Sequence, residues 1–248
     1  MKTDVRTFLN DHRNSVIREK LVNYRFFYEL KLAGARVNRD IQISFPEIDK
    51  DGYDIVLDND ETIKVFQIKT RLTDAKTPSW KIQKQLLRPM EKNLELLGFD
   101  GRPQNIGYQG GFILIDVEAN LETILNFNYY YCDIFTLKAM ECGLVPNKNK
   151  TQMKSAAKVI EELKSDFSYN RYEKIDIPGG VFLKARNLDS LLALANFLST
   201  KEDFRFWHLH FESYLKQNQS EKNGTRIINL LEHLVYTKKS KKVLSDVP

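Results

Sequence analysis

The sequence predicts an α/β protein in which helices flank a mixed β-sheet, and three observations support this prediction. Segments with apolar residues at helical spacing alternate with short segments rich in β-branched and aromatic residues. The first segments follow the order helix, three strands, helix, strand, which suits a mixed sheet with helices on its faces. The strand within residues 110–117 is apolar nearly throughout, and such a run indicates burial on both faces of a sheet.

The first half of the chain contains the better-defined elements. Asn14-Ser15 can cap the main part of the first long helix, and Gly34 is a natural end for it. The turn cluster Asp58-Asn-Asp60 separates two strand-like segments, which therefore predict a β-hairpin. The predicted elements are a helix over residues 3–33, a strand within 37–45, hairpin strands over 53–57 and 63–70, a polar loop over 73–79, a helix over 80–97 and a strand within 110–117.

The second half of the chain is less regular but contains neither a repeat nor a clear linker. We therefore expect one domain, with a core over residues 1–120 and a mainly helical C-terminal elaboration of the same domain over 121–248, ending in a basic tail. The predicted elements of the second half are a strand over 127–135, a helix over 151–167, a short strand within 179–184, and helices over 187–198, 204–215 and 226–236.

The composition of the chain argues against a disordered protein and against a membrane-spanning one. Among the 248 residues, 42% are hydrophobic and 29% are charged, so a packed core is expected rather than disorder. The net charge of +5 mildly favours a polyanionic partner. Cys132 and Cys142 lack metal-ligand spacing and indicate reduced thiols. With neither a signal peptide nor an apolar run long enough to span a membrane, we expect a cytoplasmic protein without a membrane partner.

The hairpin carries the most informative side chains of the chain. Gln67 and Lys69 are two residues apart in a strand, so they point to the same face, and Asp54 can join them if the register allows. A carboxylate, an amide oxygen and an ammonium group are costly to bury unpaired. Together they suit a site that holds a hard cation and a phosphate. For each of these residues alone, a surface salt bridge or an exposed strand position is the simpler interpretation.

Asp54, followed by Gln67-Ile68-Lys69, resembles the PD-(D/E)XK nuclease superfamily in its QxK form. The resemblance covers about residues 14–117 and includes the preceding helix, which carries Glu19 and Glu29. It implies a restriction-endonuclease-like fold. It also implies a phosphodiester hydrolase that depends on Mg²⁺ or Mn²⁺, with DNA as the substrate and restriction or genome defence as the setting.

The resemblance also implies a role for each matching residue. Asp54 would be the principal metal ligand, with the Gln67 side chain and the Ile68 carbonyl as further ligands. Gln67 stands where most members have an acidic residue, and its neutral oxygen is a weaker ligand. Lys69 would orient the attacking water or stabilise charge in the transition state. A helix glutamate would complete the site, and Glu19 is preferred over Glu29.

Three functional interpretations remain open. The first is an endodeoxyribonuclease, and symmetric double-strand cleavage would require a homodimer. The second is a nuclease-fold protein that binds nucleic acid but has weak or no catalysis. The third is an interaction module with an unrelated α/β fold. His208 and His210 alternate, but without a carboxylate partner set they are interpreted as structural or surface residues. The lysines expected to contact phosphates are Lys148, Lys150, Lys154, Lys238, Lys239, Lys241 and Lys242.

Overall fold

A computed structural model of the chain describes residues 4–47, 52–73, 75, 77–147, 149–164, 173–217 and 219–237. Within these residues the fold is α/β, with a six-stranded mixed sheet flanked by helices and a separate two-stranded sheet. The helices are α1 Val5–Asn10, α2 Ser15–Arg36, α3 Lys84–Leu87, α4 Ile134–Glu141, α5 Lys150–Lys164, α6 Leu188–Leu194, α7 Glu202–Arg205, α8 Trp207–Lys216 and α9 Glu221–Leu234.

The large sheet has the strand order β1-β2-β3-β5-β6-β8, and β4 pairs with β7 in the small sheet. The pairs in the large sheet are antiparallel except for β3 and β5, which are parallel and central. The strands are β1 Gln42–Ser44, β2 Ile55–Asp58, β3 Ile63–Leu72, β4 Ser79–Gln83, β5 Gly111–Ala119, β6 Ile124–Cys132, β7 Lys174–Pro178 and β8 Leu183–Lys184.

The β2–β3 hairpin forms where the sequence predicts it. Its turn is held by the Asn59 side chain, which accepts hydrogen bonds from the backbone N–H groups of Glu61 and Thr62. Asp60 adopts a positive φ of 68°, which short polar residues tolerate better than most. The hairpin register pairs Ile55 with Phe66. The turn residues therefore fix the register that brings Asp54 beside the middle of β3.

The parallel pairing of β3 with β5 requires a crossover, because parallel strands cannot be joined by a tight turn. Residues 73–110 supply it, and they include β4 and α3. Gly111 begins β5 directly beside the rings of Phe66 and Tyr131. A Cβ atom at this position would lie 2.6 Å from a Tyr131 ring carbon. The glycine therefore permits the close approach of three strands at the start of β5.

The prediction of a long helix over residues 80–97 is wrong. Residues 79–83 form β4, in which Trp80 and Ile82 are buried and Lys81 between them is exposed. This alternation is the strand period, and β4 pairs with β7. Within the predicted helix, the α-helical part is α3, which has only four residues and ends before Pro89. The predicted order of helix, three strands, helix and strand is therefore also incorrect at its fifth element.

Two layers cover opposite faces of the large sheet. Helix α2 packs on one face, where the ring centroids of Phe26 and Tyr129 are 5.9 Å apart. The small sheet covers part of the other face, where Trp80 of β4 contacts Phe112 of β5 at a ring distance of 6.4 Å. The side chains of β3 alternate between these two layers. Residues at even positions of β3 therefore point to the side of the sheet on which α2 packs, and those at odd positions point to the side of the small sheet.

The second half agrees with the sequence in most of its helices and departs in two places. Strand β6 ends at Cys132, and the capping box of Asp133 and Thr136 then begins α4, which the sequence analysis missed. Strand β7 is likewise unpredicted. No helix among the described residues is long and apolar enough to cross a membrane. The predicted basic tail lies outside the described residues.

Candidate functional site

The candidate site lies where β2 ends beside the continuing strand β3. The chain bends at Asp54, whose backbone N–H donates to the Phe66 carbonyl at 2.8 Å. The Asp54 carboxylate accepts a hydrogen bond of 2.6 Å from the backbone N–H of Ile68. The carboxylate therefore occupies the edge of β3 that a longer β2 would have covered.

Strand geometry places two further groups beside this carboxylate. The N–H and C=O groups of one strand residue point to the same edge, so the Ile68 carbonyl also points towards the edge where Asp54 lies. Gln67 and Lys69 flank Ile68, and they share the face that carries Phe112 and Leu114 of β5. The structure thus places the Asp54 carboxylate at Ile68, the residue that Gln67 and Lys69 flank on β3.

Gln67 and Lys69 differ in burial and in their partners. Gln67 is 8% exposed, and its Oε1 atom is buried without a hydrogen-bond partner among the described residues. Lys69 is half-buried, and its ammonium group forms no ion pair within the described part of the chain. A buried carbonyl oxygen without a partner is costly in a folded protein, and a cation bound to the Gln67 Oε1 atom would relieve this cost. The Lys69 ammonium group is partly open to solvent and could bind an anion.

The two helix glutamates lie on α2, which packs on the opposite face of the sheet. Glu29 accepts a hydrogen bond of 2.5 Å from the Tyr129 hydroxyl and pairs with Arg25 at 2.9 Å. Burial and the neighbouring Glu29 raise the pKa of Tyr129 well above its ordinary value. Glu19 is exposed on the same helix. The structure therefore does not bring either glutamate to the face of Gln67 and Lys69.

With both helix glutamates on the opposite face, few groups at the site could bind a metal ion. Among the described residues, no group of three or more His, Cys, Asp or Glu side chains is placed to hold a metal ion. Asp54, the Gln67 Oε1 atom and the Ile68 carbonyl would be the protein ligands. Magnesium prefers oxygen ligands and usually keeps several waters, so one carboxylate with two neutral oxygens fits its chemistry.

Residues beyond the predicted set also surround the site. The Gln83 side chain packs against Gly52, where an added Cβ atom would lie 2.5 Å from the Gln83 Cδ atom. Gly52 has a φ of +77°, so it permits both the turn and this close approach. On the face of Lys69, Arg71 forms an ion pair of 3.2 Å with the buried Asp116. Gln83 was missed because the segment was interpreted as a helix.

The lysines predicted to contact phosphates are only partly described. Lys150 and Lys154 lie on α5 and are exposed. Lys148, Lys238, Lys239, Lys241 and Lys242 lie outside the described residues. The two cysteines are free thiols, as the sequence predicts, and burial raises the pKa of Cys132.

Comparisons of the chain with protein-family models, with curated proteins and with solved structures give no match.

Proposed function

We propose that this protein is a metal-dependent deoxyribonuclease that hydrolyses DNA phosphodiester bonds. The observation that supports it most is the hydrogen bond between the Asp54 carboxylate and the Ile68 amide, because it holds the carboxylate beside the strand residue that Gln67 and Lys69 flank. These are the positions that resemble the QxK form of the PD-(D/E)XK nucleases. The restriction or defence setting rests on that resemblance alone.

The buried Gln67 Oε1 atom supports a metal site, since it lacks a hydrogen-bond partner among the described residues. Asp54 would supply the negative charge, and the Ile68 carbonyl would supply a third oxygen. When bound there, Mg²⁺ would polarise a phosphate oxygen and lower the pKa of its coordinated water.

Lys69 would act on the substrate phosphate. Its ammonium group has no carboxylate partner within the described residues, so its charge is available to an anion. A compact cation beside the phosphate would stabilise the negative charge that develops as the phosphodiester bond breaks. The partial burial of Lys69 strengthens this interaction, because the effective dielectric constant is lower than in bulk water.

The second candidate function is a nucleic-acid-binding protein with the same fold and weak or no catalysis. One observation favours it: among the described residues, the other carboxylates considered for the site are already engaged, Glu29 by Tyr129 and Arg25 on the other face and Asp116 by Arg71. A site with fewer charged ligands binds Mg²⁺ more weakly. This alternative predicts nucleic-acid binding with little cleavage at millimolar Mg²⁺.

The test is a cleavage assay with plasmid, linear duplex and single-stranded DNA, in the presence of Mg²⁺ or Mn²⁺. Lys69→Ala is expected to slow cleavage by about 10²-fold or more, as the loss of one electrostatic stabiliser commonly does. Asp54→Asn is expected to raise the metal concentration needed for half-maximal activity. Lys81→Ala, at an exposed position of β4, is the matched control and should cleave like the wild type.

Each variant is first compared with the wild type in thermal unfolding, so that a folding defect is not mistaken for a catalytic one. If Lys69→Ala and Asp54→Asn cleave as fast as the wild type at equal stability, the proposed site is wrong. If the wild type binds DNA but does not cleave it with either metal, the second candidate function replaces the first.

A further inference from the structure

A second polar site lies at the other end of β3, on the face opposite Lys69. Lys64 lines a cavity of about 90 Å³ together with residues from the β6–α4 junction and from α8. One water needs only about 10 to 15 Å³ on this measure, so the cavity can hold a larger ligand. Lys64 and Lys69 are five residues apart, which corresponds to about 16 Å along a strand. The cavity is therefore separate from the proposed catalytic site.

The Lys64 amine is the unusual group in this cavity. Lys64 is 8% exposed, and its amine forms neither a hydrogen bond nor an ion pair with any described residue. Lysine is almost never buried without a partner, because transfer of its charge out of water is costly. Burial lowers the pKa of Lys64, and the charge of Asp133 opposes this effect. The hydrogen bonds of this amine must therefore be accepted by water or by a ligand in the cavity.

The neighbouring acidic groups do not fill this role. The Asp133 carboxylate is already engaged: one oxygen accepts from the Thr136 N–H at 2.7 Å and the other from the Tyr131 hydroxyl at 2.9 Å. Glu212 lies at the cavity wall, and its ion pair among the described residues is with Lys216 at 4.0 Å. Neither carboxylate forms an ion pair with Lys64.

Other groups in the cavity can contribute donors. The Nδ1 atom of His208 is buried without a hydrogen-bond partner among the described residues. Lys92 also lines the cavity and brings a second positive charge. The groups on the lining residues thus include two ammonium groups, of Lys64 and Lys92, and the imidazole nitrogen of His208.

We propose that this cavity binds a small oxyanion of the size of a phosphate group, held by Lys64 and Lys92. Phosphate oxygens would accept the hydrogen bonds that the buried amine cannot make within the protein. The anion could be free phosphate or the terminal phosphate of a phosphomonoester such as a nucleotide, since both present the same group.

The test is calorimetric titration of the full chain with sodium phosphate and, separately, with adenosine monophosphate, with sodium chloride keeping the ionic strength constant. Saturable binding is expected for phosphate. Lys64→Met keeps the apolar stem, removes the charge and should weaken binding at least about tenfold, as expected for a lost charged hydrogen bond. Lys81→Met, at an exposed position on β4, is the matched control and should bind like the wild type.

Glu212→Gln provides a test that does not depend on the buried lysine. It removes a negative charge from the cavity wall, so phosphate should bind more tightly. Equal binding of both ligands would identify a phosphomonoester site, and binding of phosphate alone would identify a site for the free ion. The proposal is overturned if neither ligand binds saturably, if Lys64→Met binds phosphate as well as the wild type, or if Glu212→Gln leaves the affinity unchanged.

Discussion

The hydrogen-bond partners of Glu29 indicate a structural role for this residue and not a catalytic one. Its carboxylate is held by the Tyr129 hydroxyl and by Arg25, on the face of the sheet away from Lys69. Glu29→Ala removes the acceptor of the Tyr129 hydroxyl and of the Arg25 Nε atom, while Arg25 still donates to the Ile124 carbonyl. We therefore expect the free energy of unfolding to fall by about 1 to 3 kcal/mol. The rate of DNA cleavage, measured well below the melting temperature, should not change.

The control for this prediction is Glu118→Ala, at an exposed position of β5, which should alter neither quantity. Loss of cleavage in Glu29→Ala at unchanged stability would instead assign Glu29 to the proposed catalytic site, as the less preferred of the two helix glutamates that the resemblance leaves open.

His208 makes the stability of the protein depend on pH. Burial lowers its pKa from 6.5 to about 4, and the charge of Lys64 acts in the same direction. Between these values the unfolded chain binds a proton that the folded protein does not, so stability falls as the pH falls from about 6.5 to about 4. The full loss is about 3 kcal/mol, from 1.36 kcal/mol for each pKa unit.

The measurement is denaturant unfolding at a series of pH values between 4 and 7.5. His208→Gln should flatten the decline relative to the wild type, whereas His12→Gln, at an exposed position, should leave it unchanged. If the free energy of unfolding falls with pH as steeply in His208→Gln as in the wild type, His208 is not the group that causes the decline.

At the scale of an element, the start of β5 depends on the absence of a side chain at Gly111. An alanine there would place its Cβ atom 2.6 Å from the Tyr131 ring, with Phe66 also closer than normal contact. We expect Gly111→Ala to lower the free energy of unfolding by about 1 to 3 kcal/mol, as overpacking of a core does. Chemical denaturation measures this change.

The matched control is Gly101→Ala, because an added Cβ atom at Gly101 meets no other atom within 4 Å. Its effect should stay within about 0.5 kcal/mol, as for most surface substitutions. Equal effects of the two changes would show that the β3–β5–β6 contact is looser than described.

The β2–β3 hairpin and strand β4 show which elements could be predicted from the sequence and which could not. The hairpin was predictable because its turn residues and alternating strands lie within about twenty residues. Strand β4 was not predictable, because it pairs with β7 almost a hundred residues later. The residues next to β4 in sequence do not indicate which segment it will pair with. An apolar run without its partner is ambiguous between helix and strand.

The candidate site likewise contains residues that the sequence could relate to one another and residues that it could not. Asp54, Gln67 and Lys69 belong to one hairpin, so strand periodicity was enough to relate Gln67 to Lys69. The position of Glu29 depends on which face of the sheet α2 covers, and that is fixed by tertiary contacts such as Phe26 with Tyr129. Lys64 and His208 come from distant elements, and no local pattern links them.

At the scale of the whole molecule, the net charge of +5 predicts a salt-dependent contact with DNA. Neutralising phosphates releases condensed counterions, so the affinity for duplex DNA should fall steeply as salt rises. Removing residues 238–248, which include four lysines, should lower the affinity for all DNA sequences about equally and make the salt dependence shallower. Cleavage should persist, because the proposed catalytic residues lie in the first half of the chain.

Fluorescence anisotropy with full-length and truncated proteins across a range of salt concentrations measures both effects. Affinity that is indifferent to salt, or absent at low salt, would argue against nucleic acid as the partner and favour the interaction-module interpretation.

The contact between Asp54 and Ile68 also offers a spectroscopic probe. The Ile68 amide hydrogen is bonded to a carboxylate instead of a neighbouring strand, so its chemical shift responds directly to the charge on that carboxylate. A divalent cation added to isotopically labelled protein would move this resonance, and the titration curve would report metal affinity without any substrate or turnover. Deuterium exchange at the same amide would report how often the chain opens at the bend, because its partner is the Asp54 side chain and no described strand pairs with it on that edge.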